Sequence, residues 1–455
     1  MYVKLILPAL TEARSEYFRS IKYSLFPPLG LVTLASYVPD SWNVSITDEH
    51  VETLDTSDTP DIVGIEVYIT AARRSYEIAD AYRKKGCHVV LGGLHVTALP
   101  KEAMAHADTI ITGPAEEAWP RFLSDFKNGV AAPHYRSATR TLEDLPPLRR
   151  ELIKRSLYLV PNSLVTSRGC PHRCDFCYST SFFKGGRSYY SRRVDQVLAE
   201  IEGIPGRHLF FLDDNILGDE RFALALFEGM RGMNRACQGA ATLKSLTNAP
   251  LLDAAARAGM RSLFIGFESL NRASLEQTNK HHNDPRGYNQ IVRAVHDRGI
   301  MINGSFVFGL EHDRHDVFDA TVDWAIRSGL ETATFHILTP YPGTPLFHRM
   351  EKNGRLLHRN WDLYDTRHAV TRHPHMSQAE IEAGYWRAYR HFYSAPNIVR
   401  SSASHSSLSH MLRHMLYTIA WKKCDPIWQA IIQARKLPIM HSLLERVLGS
   451  ARRSQ

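Results

Sequence analysis

The residues best suited to chemistry are three cysteines near the middle of the chain. Cys170, Cys174 and Cys177 have the spacing C-x3-C-x2-C. Three thiolates this close can hold three irons of a [4Fe–4S] cube, and the fourth iron stays open for another ligand. A zinc knuckle or three unrelated thiols are the alternatives, but structural zinc normally takes four protein ligands, and His172 inside the loop would be cramped as the fourth. The spacing favours an iron–sulfur site.

Strands and helices alternate around this loop, which predicts a partial parallel barrel with its active site at the C-terminal ends of the strands. The predicted strands are 163–167, 208–213, 240–244, 262–267, 302–308 and 332–338. The predicted helices include 194–202, 251–258, 288–298 and 316–327. The cysteines follow the first strand, at the end of the barrel where ligands bind.

An earlier alternation, over residues 1–140, predicts a doubly wound parallel sheet whose ligand site lies at the carboxyl ends of its strands. Those ends carry Thr70, the pair Gly92-Gly93, and Gly113 with Glu116. No G-x-G-x-x-G run follows the first strand, so a nicotinamide or flavin dinucleotide is disfavoured. Two adjacent glycines instead let a backbone approach a bulky ligand.

These patterns predict an α/β protein with three structured parts, the first two joined by a linker. Residues 1–140 form the first domain and residues 141–160 a linker that includes TLEDLPPLRR. Residues 161–345 form the barrel, and residues 346–455 form a mostly helical region with a basic tail.

Composition and charge narrow the function further. The 455 residues carry a net charge of +8, and residues 401–455 alone hold eight basic and two acidic residues. The tail thus holds +6 of the net charge, and basic and acidic residues nearly balance in residues 1–400. Such a balance argues against a nucleic-acid-coating protein. The N-terminus has no basic start or cleavage site, and no apolar run approaches the length of a membrane span, so we expect a cytoplasmic protein. Six cysteines are too few for a disulfide framework, and Cys87, Cys237 and Cys424 are expected to be ordinary thiols.

The cysteine loop resembles the signature of the radical S-adenosylmethionine enzymes. Phe176 stands where that family has an aromatic residue near the adenine. The resemblance implies that the open iron binds the amino and carboxylate groups of S-adenosylmethionine. Reductive cleavage of that molecule gives a 5′-deoxyadenosyl radical, which abstracts a hydrogen atom.

Three further segments are similar to that family. Asp213 and Asp214 stand where many members have a Gly-Gly-Glu run, so either carboxylate could receive the methionine ammonium, although a helix N-cap is the alternative. The resemblance suggests that Glu268 contacts the ribose or methionine portion, unless it is an ordinary strand-end carboxylate. Ser305 lies in the strand segment expected beside the adenine.

The first domain resembles the cobalamin-binding domain of the cobalamin-dependent members of that family. The similar segments are 26–31, 91–97 and 113–116. The resemblance implies cobalamin contacts by Thr70, Gly92, Gly93, His95, Gly113 and Glu116. The D-x-H-x-x-G axial motif is absent, and Asp48-Glu49-His50 is only the nearest approach to it. A ligand-free domain kept for folding or substrate recognition is the alternative.

The implied function is methylation of an unactivated carbon in a natural-product or lipid substrate by methylcobalamin. A second S-adenosylmethionine would restore the methyl group, and a flavodoxin or ferredoxin would supply electrons. The alternatives are a non-methylating radical enzyme that cyclises, oxidises or rearranges such a scaffold, and a cluster-bearing sensor protein. No catalytic acid or base is assigned.

The tail, with Met411–Lys423, is apolar at helical spacing with basic flanks. Such a helix can pack on the barrel or lie on an anionic membrane surface, which would suit a lipid substrate.

Overall fold

Two parallel sheets and a helical C-terminal region make up the chain. The computed structural model describes residues 1–10, 24–137, 142–143, 145–182, 188–405, 407–422, 425–434 and 436–449. Cys424, expected to be an ordinary thiol, lies outside these described residues. Within them, no helix is both long and apolar enough to cross a membrane.

The first sheet contains six parallel strands in the order β2-β1-β3-β4-β5-β6. The strands are β1 (Tyr2–Leu7), β2 (Asn43–Asp48), β3 (Ile62–Glu66), β4 (His88–Gly92), β5 (Thr109–Thr112) and β6 (His134–Arg136). The helices are α1 (Leu29–Ala35), α2 (Ala72–Lys84), α3 (Leu94–Ala98), α4 (Pro100–Met104) and α5 (Ala115–Lys127). The strand order reverses direction next to β1, and such a switch point opens a crevice at the carboxyl ends of the strands. The short strand β6 has no counterpart in the sequence prediction.

The second sheet is the partial barrel, with six parallel strands in the order β14-β13-β12-β11-β10-β7. Its strands are β7 (Ser163–Leu164), β10 (His208–Phe211), β11 (Ala236–Ala241), β12 (Met260–Glu268), β13 (Met301–Phe308) and β14 (Thr332–Ile337). A separate antiparallel pair consists of β8 (Ser167–Gly169) and β9 (Tyr189–Ser191). The helices are α6 (Ser179–Phe182), α7 (Val194–Gly203), α8 (Glu220–Gly229), α9 (Ala249–Ala258), α10 (Arg272–Gln277), α11 (Tyr288–His296), α12 (Val317–Arg327) and α13 (Pro345–Lys352). A core of buried aliphatic and aromatic residues fills the space between strands and helices.

Two strand predictions were wrong in their bounds. The third barrel strand covers Ala236–Ala241 instead of 240–244. Its residues are mostly small, and they do not show the branched pattern that marks a strand, although both neighbours pair with them. The first barrel strand ends at Leu164 instead of Ser167. Ser167 begins β8, which leaves the sheet and pairs antiparallel with β9.

Five more α-helices lie in the described part of the chain after α13. They are α14 (Gln378–Phe392), α15 (Ala395–Ser402), α16 (Leu408–Lys422), α17 (Asp425–Gln433) and α18 (Leu437–Gly449). Helix α14 begins with a capping box, in which Ser377 and Glu380 satisfy each other's backbone N–H groups. Tyr393 at its end binds both the N–H and the carbonyl of Ala333 in β14, so this helix packs directly on the barrel.

Candidate functional site

The three cysteines of the C-x3-C-x2-C motif lie together in the loop after β8. Cys174 is buried, Cys170 and Cys177 are half-buried, and none of the three forms a disulfide. The N–H of Cys177 donates to the carbonyl of Cys174 over 3.2 Å, which curls the loop into a turn. Burial raises the pKa of the Cys174 thiol to about 11 and that of Cys177 to about 12. Buried thiols of this kind need a bound cation to become thiolates, so the donor set fits an iron–sulfur cluster.

Three contacts hold this loop against the barrel. Asp175 accepts a hydrogen bond from Arg349 over 2.5 Å, and its own N–H donates to Thr278 over 3.1 Å. The ring of His172 stacks on His282 at a centroid separation of 3.6 Å. The cysteines are therefore held by contacts from the end of the barrel and from α13.

Lys280 is the cation beside the cysteines. Its ammonium pairs with the Glu268 carboxylate, and both side chains are almost buried, at 8% and 11% exposure. Burial lowers the pKa of Lys280, but the charges of Glu268 and of the nearby cysteines outweigh it and leave that pKa raised. The ammonium also lies 6.0 Å from the ring centroid of Phe176. A cation here suits an anionic cluster, and no sequence motif pointed to it.

The structure gives the candidate carboxylates Asp213 and Asp214 different surroundings. Asp213 is buried, and it accepts hydrogen bonds from the N–H and hydroxyl groups of both Thr166 and Ser167. These bonds tie the segment between β7 and β8 to the loop after β10, the strand that neighbours β7 in the sheet. Asp214 accepts from the N–H of Gly169 over 3.1 Å and from the hydroxyl of Tyr178 over 2.7 Å.

The remaining barrel candidates lie on β12 and β13. Glu268 ends β12 with a left-handed backbone, at a φ of 65°. Gly266 leaves room for the pair, because a Cβ there would lie 3.0 Å from the Lys280 nitrogen. Ser305 is buried on β13 directly opposite Gly266. Phe176 packs against the apolar cluster below the end of β13.

Two adjoining cavities separate the first sheet from the cysteine loop. The first, here called the sheet cavity, has a volume of about 370 Å³ and is bordered by Gly30, Glu66, Gly93, Glu116, Arg168 and Asp214. The second, here called the outer cavity, has a volume of about 430 Å³ and is bordered by His95, Thr97, Arg136, Tyr178, Tyr341 and His348. Tyr68, Leu94, Gly113, Tyr178 and Phe182 line both, so the two cavities lie directly next to each other.

The candidate residues of the first domain are distributed over these cavities. Gly92, Gly93, Gly113 and Glu116 border the sheet cavity, whereas His95 borders the outer one. Thr70 borders neither.

Three glycines, Gly92, Gly93 and Gly113, border the sheet cavity. Gly93 has a φ of 108°, and a Cβ on it would lie 3.1 Å from the backbone of Val67, so glycine lets the ends of β3 and β4 pack closely. None of the three contributes a side chain that would take up space in the cavity. The residues present therefore fit a bulky cofactor at the end of this sheet.

His95 is buried at 2% exposure, with its Nε2 atom 2.8 Å from Glu102. Its Nδ1 atom has no hydrogen-bond partner among the described residues. The near-motif at 48–50 lines neither cavity, and within it His50 is paired with Asp48 over 2.9 Å.

Charged side chains lie in the sheet cavity close to the cysteine loop, and two of them, Arg168 and Glu66, were not predicted from the sequence. Arg168, two residues before Cys170, forms an ion pair with Glu116 at the start of α5. Glu66 lies deeper in the cavity, where burial raises the pKa of its carboxyl group. Arg168 was visible beside the cysteines, but nothing in the sequence indicated that it would face another domain.

Comparison with known proteins identifies both halves of this arrangement. Residues 22–123 match the family described as the B12 binding domain, residues 164–338 match the Radical SAM superfamily, and residues 344–434 match a domain of unknown function, DUF4070. The chain is 29% identical to the bacteriochlorophyllide d C-12(1)-methyltransferase of Chlorobaculum tepidum, over 82% of this chain and 84% of that protein. It is 27% identical to the hopanoid C-2 methylase of Rhodopseudomonas palustris, over 74% and 66% of the two chains. It is 24% identical to the anaerobic magnesium-protoporphyrin IX monomethyl ester cyclase of Rubrivivax gelatinosus, over 81% and 74%.

Solved structures share the fold across both domains. The cobalamin-dependent S-adenosylmethionine radical enzyme OxsB superposes with a TM-score of 0.69 at 15% identity, covering 98% of this chain and 75% of that one. The radical S-adenosylmethionine methyltransferase TsrM of Kitasatospora setae superposes with a TM-score of 0.67 at 16% identity, covering 94% and 99%. With both domains matched in the same order, the chain belongs to the radical S-adenosylmethionine enzymes that carry an N-terminal cobalamin-binding domain.

Proposed function

We propose that this chain methylates an unactivated carbon of a large apolar molecule, using S-adenosylmethionine, a [4Fe–4S] cluster and cobalamin. The observation that carries the proposal is the pair of adjoining cavities between the cobalamin-binding sheet and the cysteine loop. When bound, the cluster with S-adenosylmethionine supplies a hydrogen-abstracting radical, and cobalamin supplies the methyl group.

The chain's own residues would bind, orient and shield the reactants. Cys170, Cys174 and Cys177 would hold the cluster, with Lys280 compensating its charge. Asp214, which borders the sheet cavity beside the cysteine loop, would bind a cationic part of S-adenosylmethionine. Since radical abstraction depends on positioning more than on acid–base groups, no proton-transfer residue is needed.

The first sheet would bind cobalamin through backbone and small residues. Gly92, Gly93 and Gly113 would let the backbone contact the ligand, and Glu116 would hold Arg168 at the boundary with the cysteine loop. His95 is the candidate for a contact from the side of the outer cavity, because its Nδ1 atom is buried and unpaired.

Support for the substrate class comes from the outer cavity and from the relatives. The cavity is bordered by rings and aliphatic groups, including Phe182, Tyr341 and Pro342. Relatives are named for bacteriochlorophyllide and hopanoid methylation, and both are large, mostly apolar ring systems. We propose a substrate of this kind, a polycyclic lipid or other natural product.

An apolar substrate that resides in a membrane must pass from it to the enzyme. Helix α16 offers a surface with which the protein could dock on that membrane. Leu408, Leu412, Leu416 and Ile419 recur at helical spacing and are all exposed. The tail around them is basic, so the helix is suited to an anionic membrane surface on the cytoplasmic side. A reduced flavodoxin or ferredoxin in that compartment would be the electron donor.

Ring formation without methylation is the second candidate function. It is favoured by the likeness to the magnesium-protoporphyrin monomethyl ester cyclase, which spans most of both chains. Such an enzyme would release 5′-deoxyadenosine but no S-adenosylhomocysteine.

The test is anaerobic purification followed by turnover with deuteriomethyl-labelled S-adenosylmethionine and a reductant. We expect about four irons per chain, bound cobalamin, and both 5′-deoxyadenosine and S-adenosylhomocysteine as products. Cys174→Ser should abolish both products, whereas the control Cys87→Ser, a buried thiol of the first sheet, should not. Deoxyadenosine without S-adenosylhomocysteine or cobalamin would refute methylation and favour the second candidate.

A further inference from the structure

Three metal-binding side chains converge at the end of the barrel opposite to the cysteine loop. His296 ends α11, Glu331 directly precedes β14, and His405 follows α15. Because Glu331 lies before its strand, the group is at the N-terminal edge of the barrel, where residues serve stability and not catalysis. The proposed function makes no use of these residues.

The separations between their atoms are those of metal ligands. The Nε2 atom of His296 lies 3.3 Å from one oxygen of Glu331, and that of His405 lies 3.4 Å from the other. One ligand atom from each residue falls within 4.8 Å of the other two. Zinc bonds of about 2.0–2.1 Å in a tetrahedron place neighbouring ligand atoms about 3.3 Å apart. Charge-assisted hydrogen bonds between imidazolium and carboxylate are shorter, at about 2.7–2.9 Å.

The carboxylate is buried and oriented as a ligand would be. Glu331 is only 2% exposed, and one of its oxygens accepts a hydrogen bond of 2.8 Å from the N–H of Ile302. Its backbone carbonyl accepts from the hydroxyl of Thr418 in α16 over 2.6 Å. Such outer contacts are typical of carboxylates that bind metals.

Among the described residues, no lysine or arginine pairs with this carboxylate. Arg413 of α16 is close, but its guanidinium donates to the carbonyl of Gly299 over 3.1 Å. Its Nε and Nη1 atoms have no hydrogen-bond partner within the described part of the chain. The charge of the buried carboxylate is therefore met by the imidazoles of His296 and His405, and a cation bound between the three side chains would compensate it with both imidazoles neutral.

We propose that His296, Glu331 and His405 bind one Zn²⁺ ion that fastens the C-terminal helices to the barrel. Two imidazoles and one carboxylate are a common three-residue zinc set. The fourth position would be taken by water or by His414, whose Nδ1 atom lies 3.0 Å from His405. The ion is separate from the iron–sulfur site and has no part in the radical chemistry.

Zinc that binds to the cysteine loop would also be counted in a simple metal analysis. The test therefore uses the full chain in which Cys170, Cys174 and Cys177 are all replaced by Ser. After dialysis against zinc and then buffer, we expect one zinc per chain, and cobalt(II) in its place should give the visible bands of a four-coordinate ion. Adding His405→Ala should remove the zinc, whereas the control His315→Ala, an exposed histidine paired with Glu380, should retain it.

A second measurement keeps the test decisive if His405→Ala folds poorly. A chelator should lower the thermal midpoint of the three-cysteine protein, and added zinc should restore it, with no variant at the site required. Zinc below one-tenth equivalent, together with a midpoint that ignores chelator and zinc, would overturn the proposal and leave a hydrogen-bonded His–Glu cluster. Zinc that persists in both His405→Ala and Glu331→Gln would equally overturn it. Neither result depends on the methylation activity.

Discussion

The ion pair between Lys280 and Glu268 allows a quantitative test of how the barrel supports the cysteine loop. Replacing Lys280 by Met keeps the length of the side chain but leaves the Glu268 carboxylate buried without its cation. The two side chains are 8% and 11% exposed, so water cannot replace the lost partner. Breaking a buried pair in this way costs about 3–5 kcal/mol. For a domain of this barrel's size, that lowers the thermal midpoint by roughly 6–20 °C.

The assay is thermal unfolding of iron-free protein, because the charge of a bound cluster would also act on Lys280. The double variant Lys280→Met with Glu268→Gln removes both charges and should recover at least half of the loss. The control Lys127→Met, on the exposed end of α5, should change stability by less than about 0.5 kcal/mol.

Two results would refute this reasoning. A midpoint for Lys280→Met within about 2 °C of wild type would mean that the pair is not buried as described. A double variant no better than the single one would mean that Lys280 acts through other partners. If Glu268 also binds S-adenosylmethionine, Glu268→Gln should weaken that binding even with Met at position 280.

Three further predictions concern other parts of the site and fold. Gly113→Ala should destabilise the protein and weaken cobalamin binding measured by absorbance titration, because the new Cβ would lie 2.9 Å from the carbonyl of Ser137. The control Gly129→Ala has a similar φ, but its Cβ would meet no atom within 4 Å, so it reports the effect of backbone strain alone. Burial raises the pKa of Asp313 from 3.8 to about 7, so between these values the folded state holds a proton that the unfolded state releases. The free energy of unfolding of the wild type, measured with urea, should therefore fall relative to that of Asp313→Asn as pH rises through this interval; parallel pH profiles of the two proteins would contradict this. Asp214→Asn should weaken S-adenosylmethionine binding about tenfold, or about 1.4 kcal/mol, in equilibrium dialysis while the iron content stays unchanged; unchanged affinity would remove this residue from the site.

Both sheets, their order along the chain and the location of the cysteine loop could be predicted from the sequence. The periodicity of buried strands and the C-x3-C-x2-C spacing are local patterns, and local patterns survive in a single sequence. The prediction placed the third barrel strand too late in the chain, because Ala236–Ala241 consists mostly of small residues, whose burial depends on neighbours far away in the sequence.

The parts of the site that escaped prediction are contacts between distant segments. Lys280 meets Glu268 only because the loop after β12 folds back, and Arg168 meets Glu116 only because two domains face each other. The bonds of Asp213 to Thr166 and Ser167 connect segments more than forty residues apart. No spacing rule encodes such pairings, which arise from the tertiary fold.

The sheet cavity has a consequence for the order in which the protein can be assembled. One wall comes from residues 30–119, but the other contains Arg168, Tyr178 and Asp214. During synthesis the first sheet is complete once residue 136 has emerged, long before that second wall exists. The N-terminal domain can fold first, as domains on the ribosome generally do. In the proposed function, cobalamin bound in this cavity would be fully enclosed only after the chain has been made past residue 214, so its enclosure would follow the start of barrel folding.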